Sequence, residues 1–157
     1  MENSVELSIK LNSFIKEVGL KDIAYVIENI FERSDYIYQT GEYIESFGLS
    51  DKEIEEYFDY EEDDNVPRAE DLETIDRFTK ESNEDTFGKL VEMLNRRNSL
   101  DMFFENIFVD QLWLSWNGLD YMVETENMNE EQRKLCMTVI NRILNIFGES
   151  EVDEYTD

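Results

Sequence analysis

Asp59, Glu61, Asp63 and Asn65 stand at alternate positions of the stretch DYEEDDNVPRAE, and Glu70 closes it at position twelve. Oxygen donors in that register, with a final glutamate that can bind through both oxygens, match a helix–loop–helix calcium loop. The departures are substantial. Asp64 holds position six, where such a loop turns on glycine; Pro67 comes shortly after; and no second loop is present to pair with it. A chain this rich in carboxylates also matches the register by chance, so no metal and no cofactor is expected.

The same residues have a second chemical capacity. Carboxylates accept paired hydrogen bonds from arginine much as phosphates do. Residues 55–65, EEYFDYEEDDN, put seven carboxylates and three aromatic rings into eleven positions. Tyrosines among acids can supply packing anchors at a protein interface. The residues expected to contact a partner are therefore Glu53, Glu55, Glu56, Tyr57, Asp59, Tyr60, Glu61, Glu62, Asp63 and Asp64. The plainer reading is a solvated helix face, with Phe58 turned into the core.

Covalent chemistry has little to work with. The chain has no histidine, which removes the Ser-His and Cys-His mechanisms and the commonest transition-metal ligand. Neither GxxxxGK[ST] nor GxGxxG occurs, and the six glycines are scattered singly. The lone cysteine, Cys136, lies in the apolar run KLCMTVINRIL and reads as a buried small residue. With 39 acids, no carboxylate pair can be singled out for acid–base work. An enzyme is not expected.

The excess of acid is the dominant fact of the composition. Fourteen Lys and Arg face 39 Asp and Glu over 157 residues, leaving −25. A small domain needs a net charge of only about 2 to 8 for solubility. The excess is uneven. Residues 1–48 carry −5, residues 49–92 carry −12, residues 93–148 carry −3 and the last nine carry −5. An acidic face is thus set beside a nearly neutral scaffold. Such a molecule repels free nucleic acid and anionic lipid and is steered toward basic surfaces.

The elements that position these groups read as helices. Apolar residues recur at helical spacing through Leu7, Leu11, Phe14, Ile15 and Val18, between a start at Ser4 and a stop at Gly19. Ile23, Val26, Ile27, Ile30 and Phe31 continue the pattern. Ser50 and Glu53 form a capping box for a short acidic helix with Ile54, Tyr57 and Phe58 inward. The next helix covers 69–80, with Leu72, Ile75 and Phe78 on one side. Another begins at Ser82 and buries Phe87, Leu90, Val91 and Leu94. Ser99 is expected to cap the most apolar stretch, LDMFFENIFVDQLWLSW. There Met102, Phe103, Ile107, Phe108, Leu112 and Trp113 form a stripe, with Phe104, Leu114 and Trp116 off it. The last helix comes after Asn129 and Gln132 and ends at Gly148. Arg96 and Arg97 close a helix, where positive charge offsets the helix dipole. The stretch YIYQTGEYI could instead form a hairpin around Gly41.

The expected fold is all-α: one compact bundle of about six or seven helices over 1–148, with an acidic loop near 59–67 and a flexible acidic tail over 149–157. No secretory signal or membrane span is visible, so a cytoplasmic location is expected. In size, charge and compactness the chain resembles phage- or plasmid-encoded inhibitors of restriction, CRISPR or DNA-repair enzymes, and acidic immunity proteins against nuclease toxins. No family motif carries that resemblance. It implies a nucleic-acid mimic that blocks a basic nucleic-acid-binding protein or nuclease, without touching nucleic acid or membrane itself. An anti-CRISPR or anti-restriction factor is the foremost expectation. The alternatives are a toxin immunity protein, or a non-enzymatic assembly protein that uses its apolar C-terminal half, as in a homodimer.

Overall fold

The computed structural model describes residues 3–30, 47–58, 69–110, 124 and 127–151. Among these residues there are seven α-helices and no strand. They are α1 (Ser4–Val18), α2 (Leu20–Ile30), α3 (Asp51–Phe58), α4 (Ala69–Lys80), α5 (Glu84–Arg96), α6 (Leu100–Phe104) and α7 (Glu130–Ile146). Between α6 and Asp110 the chain widens into a π-helical turn, Glu105–Val109. The hairpin reading of YIYQTGEYI, the acidic loop over 59–67, and Trp113 and Trp116 lie outside the described residues.

Local chemistry sets most helix ends. Asn3 accepts the Glu6 N–H at the start of α1, and the chain leaves that helix at Gly19, whose φ of 99° suits a residue without Cβ. Asn129 and Gln132 close a reciprocal capping box at α7. Two expected starts differ. α5 is capped by Asn83 with Thr86, one residue later than expected, because the Ser82 N–H is taken by Glu28 and its hydroxyl by the Ala24 carbonyl. Ser99 precedes α6 but makes no side-chain cap; its hydroxyl donates back to the Leu94 carbonyl. The tight reversal before it, with Asn98 at φ 58°, turns the Ser99 side chain toward the helix just ended.

α6 and the π turn run through the middle of the bundle, against α1, α5 and α7. Phe103, Phe104, Ile107 and Phe108 are wholly buried, whereas Met102, expected on the apolar stripe, is exposed. Phe104, off the stripe, is core as well, as a helix apolar on more than one side and central in the bundle requires. The π turn, closed by the Asp110 N–H on the Glu105 carbonyl at 2.9 Å, shows that the backbone does not keep one α period here. Six phenylalanines join into one cluster. Phe103 meets Phe47 at 5.3 Å, Phe104 at 5.7 Å and Phe78 at 6.3 Å between ring centroids. Phe87 meets Phe78, and Phe104 meets both Phe87 and Phe108. Offset and edge contacts of this kind add about 0.5–1.5 kcal/mol per pair beyond the area buried. Phe47 has a further role, because it seats the chain just before the acidic helix in this cluster.

Candidate functional site

The acidic helix α3 is mounted on the scaffold by the residues on either side of its start. Phe47 is wholly buried, Gly48 turns with φ 79°, and Leu49 is buried behind it. A Cβ at Gly48 would run into the Ser99 side chain, so both space and dihedral reserve the position for glycine. Ser50 and Glu53 then make the expected capping box. The Glu53 N–H donates to Ser50 Oγ at 3.3 Å, and the Ser50 N–H donates to Glu53 Oε1 at 3.2 Å.

Arg97 joins this turn to the rest of the molecule. Its Nε and Nη2 donate to the Gly48 carbonyl at 3.1 and 2.7 Å, and Nη2 also reaches Glu53 Oε1 at 2.9 Å. Nη1 donates to Asp71 Oδ2 at 3.0 Å, on the first turn of α4. Arg96 completes the group through Asp71 Oδ1 at 2.5 Å. The side chains of Arg97, Asp71 and Glu53 are only 7, 9 and 14% exposed. Two guanidiniums and two carboxylates thus form a neutral cluster under the acidic helix. Such a cluster need not beat an apolar packing of the same volume, yet losing Arg97, Asp71 or Glu53 disturbs a charge balance that is largely shielded from water.

Glu53 titrates accordingly. Burial would push its carboxyl up, but the Ser50 hydrogen bonds and the Arg97 guanidinium outweigh that and hold it below the usual glutamate range. Of the expected contact residues, Glu53 is therefore engaged within the molecule. Glu55 is exposed on α3, as is Asp51. Glu56 and Tyr57 belong to α3, but their side chains lie outside the described set, as do those of Ile54 and Phe58. Asp59, Tyr60, Glu61, Glu62, Asp63 and Asp64 lie outside the described residues altogether. Of the calcium register only Glu70 is described, exposed on α4. Among the described residues no group of three His, Cys, Asp or Glu could hold a metal ion.

The rest of the acidic segment is partly neutralised from within. Glu73 pairs with Arg77 at 2.7 Å, Asp76 with Lys80 at 2.9 Å and Asp85 with Lys89 at 3.9 Å, each one helical turn apart. Exposed pairs of this type contribute only about 0.3–0.5 kcal/mol each, but they remove those carboxylates from the free negative surface. Between α4 and α5 lies a groove of 610 Å³ whose walls carry both signs of charge. A second concentration of acid surrounds the π turn. Burial first, and then Asp110, Asp101 and Glu149, push the Glu105 carboxyl above its ordinary value. Cys136 is wholly buried, and burial pushes its thiol up to about 12, which leaves it a poor nucleophile.

No sequence pattern signals the Arg97 cluster. Its partners lie 26 and 44 residues away, and an Arg-Arg pair at a helix end has an ordinary reading as a dipole partner. No described helix is long and apolar enough to cross a membrane. Comparison with protein-family models, curated proteins and solved structures returned no match.

Proposed function

We propose that this is an acidic, non-enzymatic binding protein that inhibits a basic nucleic-acid-binding protein or nuclease by occupying its nucleic-acid site. An anti-defence factor of a phage or mobile element, of the anti-CRISPR or anti-restriction kind, fits this reading; a toxin immunity protein is the neighbouring case. The observation that carries it is the way the acidic helix is held. A net charge of −25 could sit on flexible chain and serve only repulsion. Here α3 is pinned at its start by Phe47 in the core and by Arg97 on both Gly48 and Glu53. Carboxylates such as Asp51 and Glu55 are exposed on the helix held at that end. Fixed spacing is what a lysine- and arginine-lined nucleic-acid groove requires of a competitor, since a pre-ordered array avoids the entropy of ordering at binding.

The test is capture of binding proteins on the immobilised chain, with nuclease treatment and stepwise elution by salt. A captured protein is then assayed for nucleic-acid binding with and without the chain. Elution at moderate salt, competition by DNA or RNA, and loss of the captured protein's nucleic-acid binding are expected. Replacing Glu61, Glu62, Asp63 and Asp64 together by Gln and Asn should slow association while the circular dichroism spectrum stays unchanged. A captured protein that still binds its nucleic acid in the presence of the chain would refute the proposal.

A further inference from the structure

One guanidinium spans two helices of the acidic segment. Arg97, at the C-terminal cap of α5, donates from Nη2 to Glu53 Oε1 at 2.9 Å on α3 and from Nη1 to Asp71 Oδ2 at 3.0 Å on α4. Its Nε and Nη2 also hold the Gly48 carbonyl, just ahead of α3. Asp71 is steadied from its other side, because Arg96 donates to Oδ1. The joint depends on shape as well as charge. Arginine presents its N–H donors in a rigid planar fork, whereas lysine carries a compact charge on a flexible stem. An ammonium in the place of Arg97 keeps the charge but cannot span the acceptors at 48, 53 and 71. Near the joint stand two exposed carboxylates: Asp51 in the first turn of α3 with Glu53, and Glu70 in the first turn of α4 beside Asp71.

From this we infer that Arg97 is a positioning residue for the partner surface: it joins the first turns of α3 and α4 so that Asp51 and Glu70 meet a basic partner as one array. The inference rests on the function proposed above and adds α4 to the contact surface. Glu53 and Asp71 build the joint and are largely shielded from water, so the contacts fall to the exposed acids beside them. Once one arginine of the partner has bound, a fixed array holds the second carboxylate at a high effective concentration. Loosening the joint loses that advantage and adds the entropy of ordering at binding, with no change in surface charge.

Binding of a labelled arginine-rich peptide to the full chain, followed by fluorescence anisotropy and stopped flow, tests this. Arg97→Lys keeps the net charge, so association should stay within about twofold while dissociation quickens about tenfold. Asp51→Asn and Glu70→Gln should each weaken binding in the unaltered chain. Made together there, they should weaken it by less than the product of the two single effects; in Arg97→Lys they should combine as independent sites. A merely structural arginine would lower the melting temperature without touching that coupling. Where circular dichroism shows that Arg97→Lys does not fold, the coupling of Asp51 with Glu70 in the unaltered chain decides alone. Independent effects of those two residues in the unaltered chain would overturn the inference and leave the proposed function standing. Unchanged dissociation in a folded Arg97→Lys would do the same. A chain that binds no arginine-rich peptide at low salt would overturn both.

Discussion

Two sets of carboxylates in and around the acidic segment have opposite positions in the molecule. Asp71 is buried and Glu53 half-buried against Arg97, whereas Asp51 and Glu55 are exposed on the helix whose start Arg97 holds in place. The four side chains are chemically near-identical. What separates them is whether a guanidinium reaches them from another helix. An acidic protein therefore cannot be read as a uniform coat: part of its acid content builds the mount and part is presented by it.

The largest effect is expected at Arg97. Arg97→Ala leaves half-buried Glu53 without a guanidinium and buried Asp71 with Arg96 alone, which costs about 3 kcal/mol; urea denaturation should show it as a clear fall in midpoint. A loss no greater than that of an exposed arginine would mean that the cluster is not what holds α3, and the distinction between the two sets would collapse.

The pH dependence of stability gives a smaller and more selective test. Glu53 has its carboxyl held below the ordinary value, so its contribution is present above the unfolded glutamate range, about 4.3, and is lost as pH falls through the folded value. Glu53→Gln should flatten the acid limb of the stability curve. Glu105 is the counterexample within the same chain. Its carboxyl is raised, so the folded state binds the extra proton and gains stability as pH falls toward and through that raised value. Glu105→Gln should raise the melting temperature slightly at neutral pH and leave it unchanged in acid.

The smallest effect on stability belongs to the exposed set. Asp51→Asn with Glu55→Gln should leave the melting temperature where it is. Binding to an arginine-rich peptide, followed by fluorescence anisotropy, should weaken and become less sensitive to salt. A fall in melting temperature with unchanged binding would place those two residues with the structural set.

Legibility in the sequence tracks the range of each interaction. The Ser50–Glu53 box, the stops at Gly19 and Gly148, and the helix over 69–80 are set by residues within one turn of each other, and each stands where its pattern indicates; the last helix instead starts within its expected lead-in, at Glu130. The buried faces of α4 and α5 come from periodicity alone, with Leu72, Ile75, Phe78, Phe87, Leu90 and Leu94 all in the core. Local patterns mislead where a distant group competes for a local one. Ser82 gives its N–H to Glu28 and cedes the cap to Asn83. Met102 leaves the core beside a π turn that no spacing rule announces.

Helix periodicity and charge are summed along the chain, and they suffice to dictate an all-helical protein with its acid concentrated over 49–92 and its most apolar stretch beginning at Leu100. Which of those acids are structural is a matter of packing. Burial and ion pairing depend on what arrives from other helices, and Arg97 finds Gly48, Glu53 and Asp71 only once the end of α5, the start of α3 and the first turn of α4 have come together.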